Sequence, residues 1–126
     1  MKKWKIKETS NDEIILLLNE YANSLSESTS SVLNGYVNVE IKNNKISYIF
    51  RTKNKYETID VKLFEIKTID IEGTLKLTIK YYDDSDVINL HKNNLEHKLD
   101  SVIQSDKMSN YIGYLINCSN VKINNN

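Results

Sequence analysis

The alternation of apolar and polar side chains is sharpest between Tyr36 and Arg51. Val37, Val39 and Ile41 alternate with polar residues, Asn43-Asn44 supplies a two-residue turn that tolerates positive φ, and Ile46, Tyr48 and Phe50 resume the alternation. Pairing Lys42 with Lys45 across that turn sets Ile41 opposite Ile46, Val39 opposite Tyr48 and Val37 opposite Phe50. All six then share one face of a β-hairpin.

Upstream, Trp4 and Ile6 alternate with lysines and predict a short strand over Lys3 to Lys7. Ser10 and Glu13 have the spacing of a capping box, and Ile14, Leu18, Tyr21, Ala22 and Leu25 follow at helical spacing. That stripe should lie on the sheet, with Leu16 on the opposite side among Asn19, Glu20 and Asn23. The Ser-rich run SLSESTSS reads as a linker ending at Asn34-Gly35.

Downstream, Lys53-Asn54 reads as a second tight turn, which would set Arg51 against Tyr56 and Tyr48 against Ile59. The inward face continues as Ile59, Val61 and Leu63, then changes parity at Phe64 and Ile66, which predicts a β-bulge near Leu63-Phe64. A turn at Glu72-Gly73, with Gly73 at positive φ, leads to Leu75, Leu77, Ile79 and Tyr81. After Asp83-Asp84-Ser85-Asp86 a short strand carries Ile88 and Leu90. Helical spacing returns with Leu95, Leu99, Val102 and Ile103, and again with Met108, Ile112, Leu115 and Ile116. The two stripes point nearly opposite ways on one continuous helix, which predicts a break near Ser105-Asp106.

These elements predict an α+β fold, with an N-terminal helix and C-terminal helices packed on an antiparallel meander of four to five strands. Residues 1–119 form one domain and 120–126 a frayed tail. Up to Tyr82 the order of elements resembles the cystatin-like shape, a sheet wrapped round one long helix, as an analogy of architecture without a shared motif.

With 126 residues, 40% hydrophobic and 27% charged, the chain suits one globular core. Its 17 basic and 17 acidic side chains leave no net field for a polyanion, which disfavours a nucleic-acid partner. No stretch approaches the ~20 apolar residues of a membrane span, and the run Ile14 to Leu18 is too short for a signal-peptide core, so the expected address is cytoplasmic. Cys118 is the only cysteine, which excludes an intrachain disulfide and a cysteine-based zinc site.

The chemistry-bearing residues are sparse. Asp83, Asp84 and Asp86 are the densest acidic group, but an EF-hand counted from Asp84 would have Asn89 where glycine is needed and Leu95 where glutamate is needed. They read as a solvated turn. His91 and His97, six residues apart, would lie about 120° apart on one helix and share no face. Cys118 has no glycine-built oxyanion feature beside it and reads as a lone thiol. Phosphate-binding, dinucleotide and nucleophile-elbow motifs are missing, so neither a metal, a cofactor nor an enzymatic activity is expected.

The outward-facing residues say more. The hairpin register pairs Tyr36 with Arg51, and the second turn would add Tyr56, giving a transverse row with the guanidinium stacked between two rings. Tyr82 should lie at the same end of the sheet and Ile49 just inside the row. Tyr and Arg dominate binding hot spots, although Tyr is also ordinary strand composition. Tyr36, Ile49, Arg51, Tyr56 and Tyr82 are therefore the expected protein-binding surface. The expected function is a small cytoplasmic protein-binding module, of the kind common among immunity proteins and phage or mobile-element inhibitors, which act by steric occlusion. The alternative is a small-ligand or enzymatic pocket between helix and sheet, lined by Tyr21, Tyr48 and Tyr81. Self-association through an edge strand or Leu16 would make a homodimer.

Overall fold

The computed structural model describes residues 3–5, 12–70 and 72–124, the last four as backbone alone. The order is α1 (Glu13–Ser28), β1 (Leu33–Lys42), β2 (Lys45–Asn54), β3 (Asp60–Thr68), β4 (Thr74–Lys80), β5 (Ser85–His91), a 3₁₀ turn (Lys92–Asn94), α2 (Leu95–Ile103) and α3 (Asp106–Asn124). The strands form one antiparallel sheet in sequence order, with β1 and β5 at its edges. This is the expected α+β arrangement with five strands. Lys3–Lys5 belong to no strand and Trp4 is exposed, while the rest of the expected leading strand lies outside the described residues.

The β1–β2 hairpin has the register read from its alternation, pair by pair from Lys42–Lys45 to Tyr36–Arg51. Asn43 and Asn44 make the turn at φ 53° and 62°, as a two-residue hairpin loop requires. Its apolar face is only partly covered. Tyr48 and Phe50 are buried, but Val39 is 44% and Ile41 74% exposed at the tip. Helix α1 meets β1 near Gly35 instead, where a Cβ would stand 2.9 Å from Phe50 Cζ and 3.0 Å from Ala22 Cα. Gly35 is thus a strand residue that lets helix and sheet approach, not the end of a linker.

Helix α1 buries Leu18 and Ala22 and packs Ile14, Tyr21 and Leu25 against the core, leaving Leu16 exposed as its spacing predicted. Its cap differs from the expected box. Asp12 is the N-cap, accepting from the amides of Ile14 (2.8 Å) and Ile15 (3.3 Å), and Glu13 is the first helical residue. Ser10 lies outside the described residues. The expected Ser-rich linker is largely helix, since α1 continues to Ser28. Thr29 then ties the helix end to β1, its buried hydroxyl donating to the carbonyls of Leu25 and Leu33 and accepting from the Leu33 amide.

Between β2 and β3 the expected Lys53-Asn54 turn is replaced by a wider loop. Asn54 is buried in β2, its Oδ1 accepting from the Ile59 amide at 3.0 Å and its Nδ2 donating to Thr58 Oγ1 at 2.8 Å. Arg51 consequently pairs with Lys62, not Tyr56, and Tyr48 pairs with Ile66, not Ile59. The bulge falls where parity predicted it. Arg51 faces Lys62 while Phe50 faces Phe64, so Leu63 is the extra residue and both Leu63 and Phe64 are buried. Phe50 and Phe64 stack with centroids 4.7 Å apart and planes 6° from parallel.

Gly73 turns at φ 95° into β4, whose Leu75, Leu77 and Ile79 are buried and pair with Leu90, Ile88 and Asp86. The helical break falls between Ile103 and Asp106, close to the predicted place. Leu95, Leu99, Val102, Met108 and Leu115 enter the core, whereas Ile103, expected in that stripe, is 39% exposed.

Candidate functional site

The helices engage the inward face of the sheet, where the buried strand residues lie. The outward face is a pleated surface written by register: Tyr36–Arg51–Lys62, Asn38–Ile49–Glu65–Thr78–Val87 and Glu40–Ser47–Lys67–Lys76–Asn89 cross it as successive rows. Tyr36, Ile49 and Arg51 therefore share this face, as the sequence predicted.

The guanidinium of Arg51 is not stacked between two tyrosine rings. It is held by hydrogen bonds, Nε donating to Tyr36 Oη and to Asp60 Oδ1, both at 3.1 Å, and Nη2 to the Asp60 carbonyl at 3.3 Å. The Tyr36 hydroxyl in turn donates to both Asp60 carboxylate oxygens at 2.6 Å. The Tyr36 hydroxyl first, and Arg51 after it, hold the Asp60 carboxyl below its ordinary value, while the bond to Tyr36 is the chief reason that Arg51 is raised. Lys53 Nζ stands 5.4 Å from the Tyr36 ring centroid and pairs with Glu57 at 2.9 Å. The side chains of Arg51 and Asp60 are 30% and 46% exposed, so this is a surface ion pair of about 0–1 kcal/mol whose main effect is to fix the arginine in place.

Asp60 was not anticipated. It comes beside Arg51 because the connection after β2 runs to Ile59, so that β3 starts at Asp60, opposite Lys53. Tyr56 leaves the expected row, while Tyr82, just beyond β4, lies at the expected end of the sheet. Tyr56 lies in the loop after β2, bordering a hollow of about 380 Å³ with Ser30, Ser31 and Ser119, and Lys55 Nζ is 5.8 Å from its ring. Tyr82 packs edge-on against Tyr114 of α3, centroids 4.7 Å apart, and is 68% exposed.

The three tyrosines expected to line one pocket are divided among different tasks. Tyr48 is buried and its hydroxyl donates to Asp12 Oδ2 at 2.5 Å. Tyr81 lies under Lys107, whose Nζ is 4.3 Å from its ring centroid. Of the three, Tyr21 alone borders a cavity of about 400 Å³ between α1, Phe50, Leu63 and Phe64 of the sheet, and Met108, Ile112 and Ile116 of α3. Its hydroxyl donates to Asp100 Oδ1 at 2.5 Å and to the Glu96 carbonyl, joining α1 to α2. Burial first, then the neighbouring carboxylate, pushes the phenols of Tyr21 and Tyr48 well above their ordinary value.

The remaining candidates take structural parts. Lys107 of α3 reaches Asp84 at 2.6 Å and Asp86 at 3.6 Å, tying the acidic turn to the helix. The ring of His91 caps the 3₁₀ turn, Nδ1 accepting from the Asn93 amide at 3.1 Å, and Nε2 lies 3.2 Å from the Glu72 carbonyl. Cys118 is half-buried. Among the described residues no cluster of three or more His, Cys, Asp or Glu is placed to hold a metal ion, and no helix is long and apolar enough to cross a membrane. Comparison of the chain with known protein families, with curated proteins and with solved structures finds no match.

Proposed function

We propose that this chain is a non-enzymatic, cytoplasmic protein-binding module that docks through the outward face of its sheet and acts by steric occlusion of its partner. The observation that carries this reading is the Tyr36–Arg51–Asp60 network on a sheet face that, among the described residues, carries no helix. An arginine already held by Tyr36 and Asp60 loses less freedom on docking, and Tyr and Arg are the residues that concentrate interface energy. Ile49 in the adjoining row adds an apolar centre beside it.

The test is a pull-down from lysate of the source organism with the natural protein and with Arg51→Ala, followed by mass spectrometry and paired with thermal melting. A stoichiometric protein captured by the natural chain and lost with the variant, while the melting temperature falls by only a few degrees, is the expected result. Equal capture by both proteins, or no enrichment, removes the reading. Light scattering on the same sample separates a heterologous partner from a homodimer formed through β1, β5 or Leu16.

The cavity of about 400 Å³ favours one alternative, a site for a small, mainly apolar molecule. It predicts a melting shift with some member of a metabolite panel that disappears in Gly113→Phe, since Gly113 is part of the cavity wall.

A further inference from the structure

The outward face is uneven in charge although the chain as a whole is neutral. Towards the tip of the β1–β2 hairpin, Lys42 stands directly opposite Lys45, and Lys67 directly opposite Lys76. Ser47, two residues from Lys45 along β2, faces Lys67, so the two pairs adjoin on the diagonal and make one patch across β1 to β4. Like charges placed directly opposite on one face of a sheet are unfavourable. Of the other cations of this face, Arg51 is compensated by Asp60, Lys62 by Glu65 and Lys53 by Glu57, while Lys80, at the far end of β4, stands singly opposite Ser85. Among the described residues, no ion pair reaches any of the four lysines of the patch. The nearby Asp70 carboxylate accepts from the amides of Glu72 and Thr74 within its own turn.

We propose that the patch of Lys42, Lys45, Lys67 and Lys76 docks an acidic segment of a protein partner. This inference deepens the protein-binding reading and rests on it. Between the patch and the Tyr36–Arg51 row runs the row containing Ile49 and Val87, so a docked surface meets a partly apolar centre flanked by cations on one side and by Tyr and Arg on the other. Lysine ammonium groups are point charges without the fixed fork of arginine, which suits carboxylates at several spacings. A nucleic acid fits less well. The rows at this end hold Glu40, Ser47 and Asn89, with no ring on which a base could stack.

The experiment is fluorescence anisotropy with a labelled ten-residue polyglutamate peptide and, separately, a twenty-base-pair DNA duplex. Each is titrated with the natural protein, with Lys67→Glu and Lys76→Glu singly and combined, and with Lys55→Glu, which changes the same charge in the loop at the opposite end of the sheet. The expected result is peptide binding that weakens with salt, falls at least tenfold in the double variant and is unchanged in Lys55→Glu, with the duplex bound more weakly than the peptide. The assignment is overturned by a silent peptide, by an equal loss in Lys55→Glu, or by tighter binding of the duplex. A partner protein from the pull-down that is lost with Arg51→Ala but kept by the double lysine variant would overturn the acidic assignment alone and leave the protein-binding reading standing.

Discussion

The hydroxyl of Tyr48, in the second strand, donates to Asp12 Oδ2 at 2.5 Å, while Oδ1 of the same carboxylate accepts the first amides of α1. One aspartate therefore caps the helix and fastens it to the sheet. Replacing Asp12 by Ala removes the cap, worth about 0.5–2 kcal/mol, and also leaves a buried phenol without its acceptor, worth about 1–3 kcal/mol. Tyr48→Phe removes the bond but keeps the cap, and should cost only about 0.5–1.5 kcal/mol. Urea unfolding of both single variants and the double variant measures the coupling. The double variant should lose less than the sum of the singles, and strict additivity would mean that the two groups act independently.

The same pair sets an alkaline limit. Tyr48 and Tyr21 are raised above their ordinary value by burial and by their carboxylate partners. A raised folded value means that the stability they contribute is complete below the unfolded value, about 10, and is lost as pH rises beyond it. Thermal melts at pH 8 and pH 11 should therefore differ by more in the natural protein than in Tyr48→Phe. An equal drop in both would place the alkaline sensitivity elsewhere.

Two glycines should respond in opposite directions to alanine. A Cβ at Gly35 would press on Phe50 and on the Ala22 backbone, and overpacking of this kind costs about 1–3 kcal/mol. A Cβ at Gly113 meets nothing within 4 Å, so Gly113→Ala should gain about 0.5–1 kcal/mol from helix propensity. Denaturant midpoints with unchanged m-values check both signs.

Where side-chain alternation alone decides, the sequence was readable. The hairpin of Val37 to Phe50, the bulge at Leu63 and the strands carrying Leu77 and Ile88 are matters of parity, and parity survives folding. What was misread depended on side chains that bind the backbone. Asn54 looks like a turn residue because Asn commonly occupies turns, yet here it is buried and braces a longer loop through Ile59, which moves Tyr56 out of the row. Asp12 and Ser10 are equally good caps by residue type, and the bond to Tyr48 that favours Asp12 lies 36 residues away. Tyr36 and Arg51 were placed together correctly, whereas Asp60, which orders them, enters through the loop that was misjudged.

The opposed lysines carry a prediction about stability that is independent of any partner. Lys76→Glu converts a like-charge pair with Lys67 into an opposite-charge cross-strand pair, which should stabilise the fold by about 0.2–1 kcal/mol. Loss of affinity for the acidic peptide with an unchanged or higher melting temperature would separate docking from folding. A lower melting temperature would mean that Lys76 has a structural task of its own.

Asp60 sets the acid limit of the candidate site. Its carboxyl is held below the ordinary aspartate value of about 3.9, first by the Tyr36 hydroxyl and then by Arg51. For a depressed folded value the contribution is complete above the unfolded value and disappears as pH falls through the folded one. The natural protein should therefore melt above Asp60→Asn at pH 7, by no more than about 1 kcal/mol because the pair is solvent-exposed, and the difference should close below about pH 4. Salt tells the two causes apart. At 1 M the screening length is about 3 Å, which weakens the attraction to Arg51 but leaves the short Tyr36 hydrogen bond in place. A difference that persists at pH 7 in 1 M salt assigns the ordering of Arg51 to the hydrogen-bonded network, while one that vanishes assigns it to the charge pair alone.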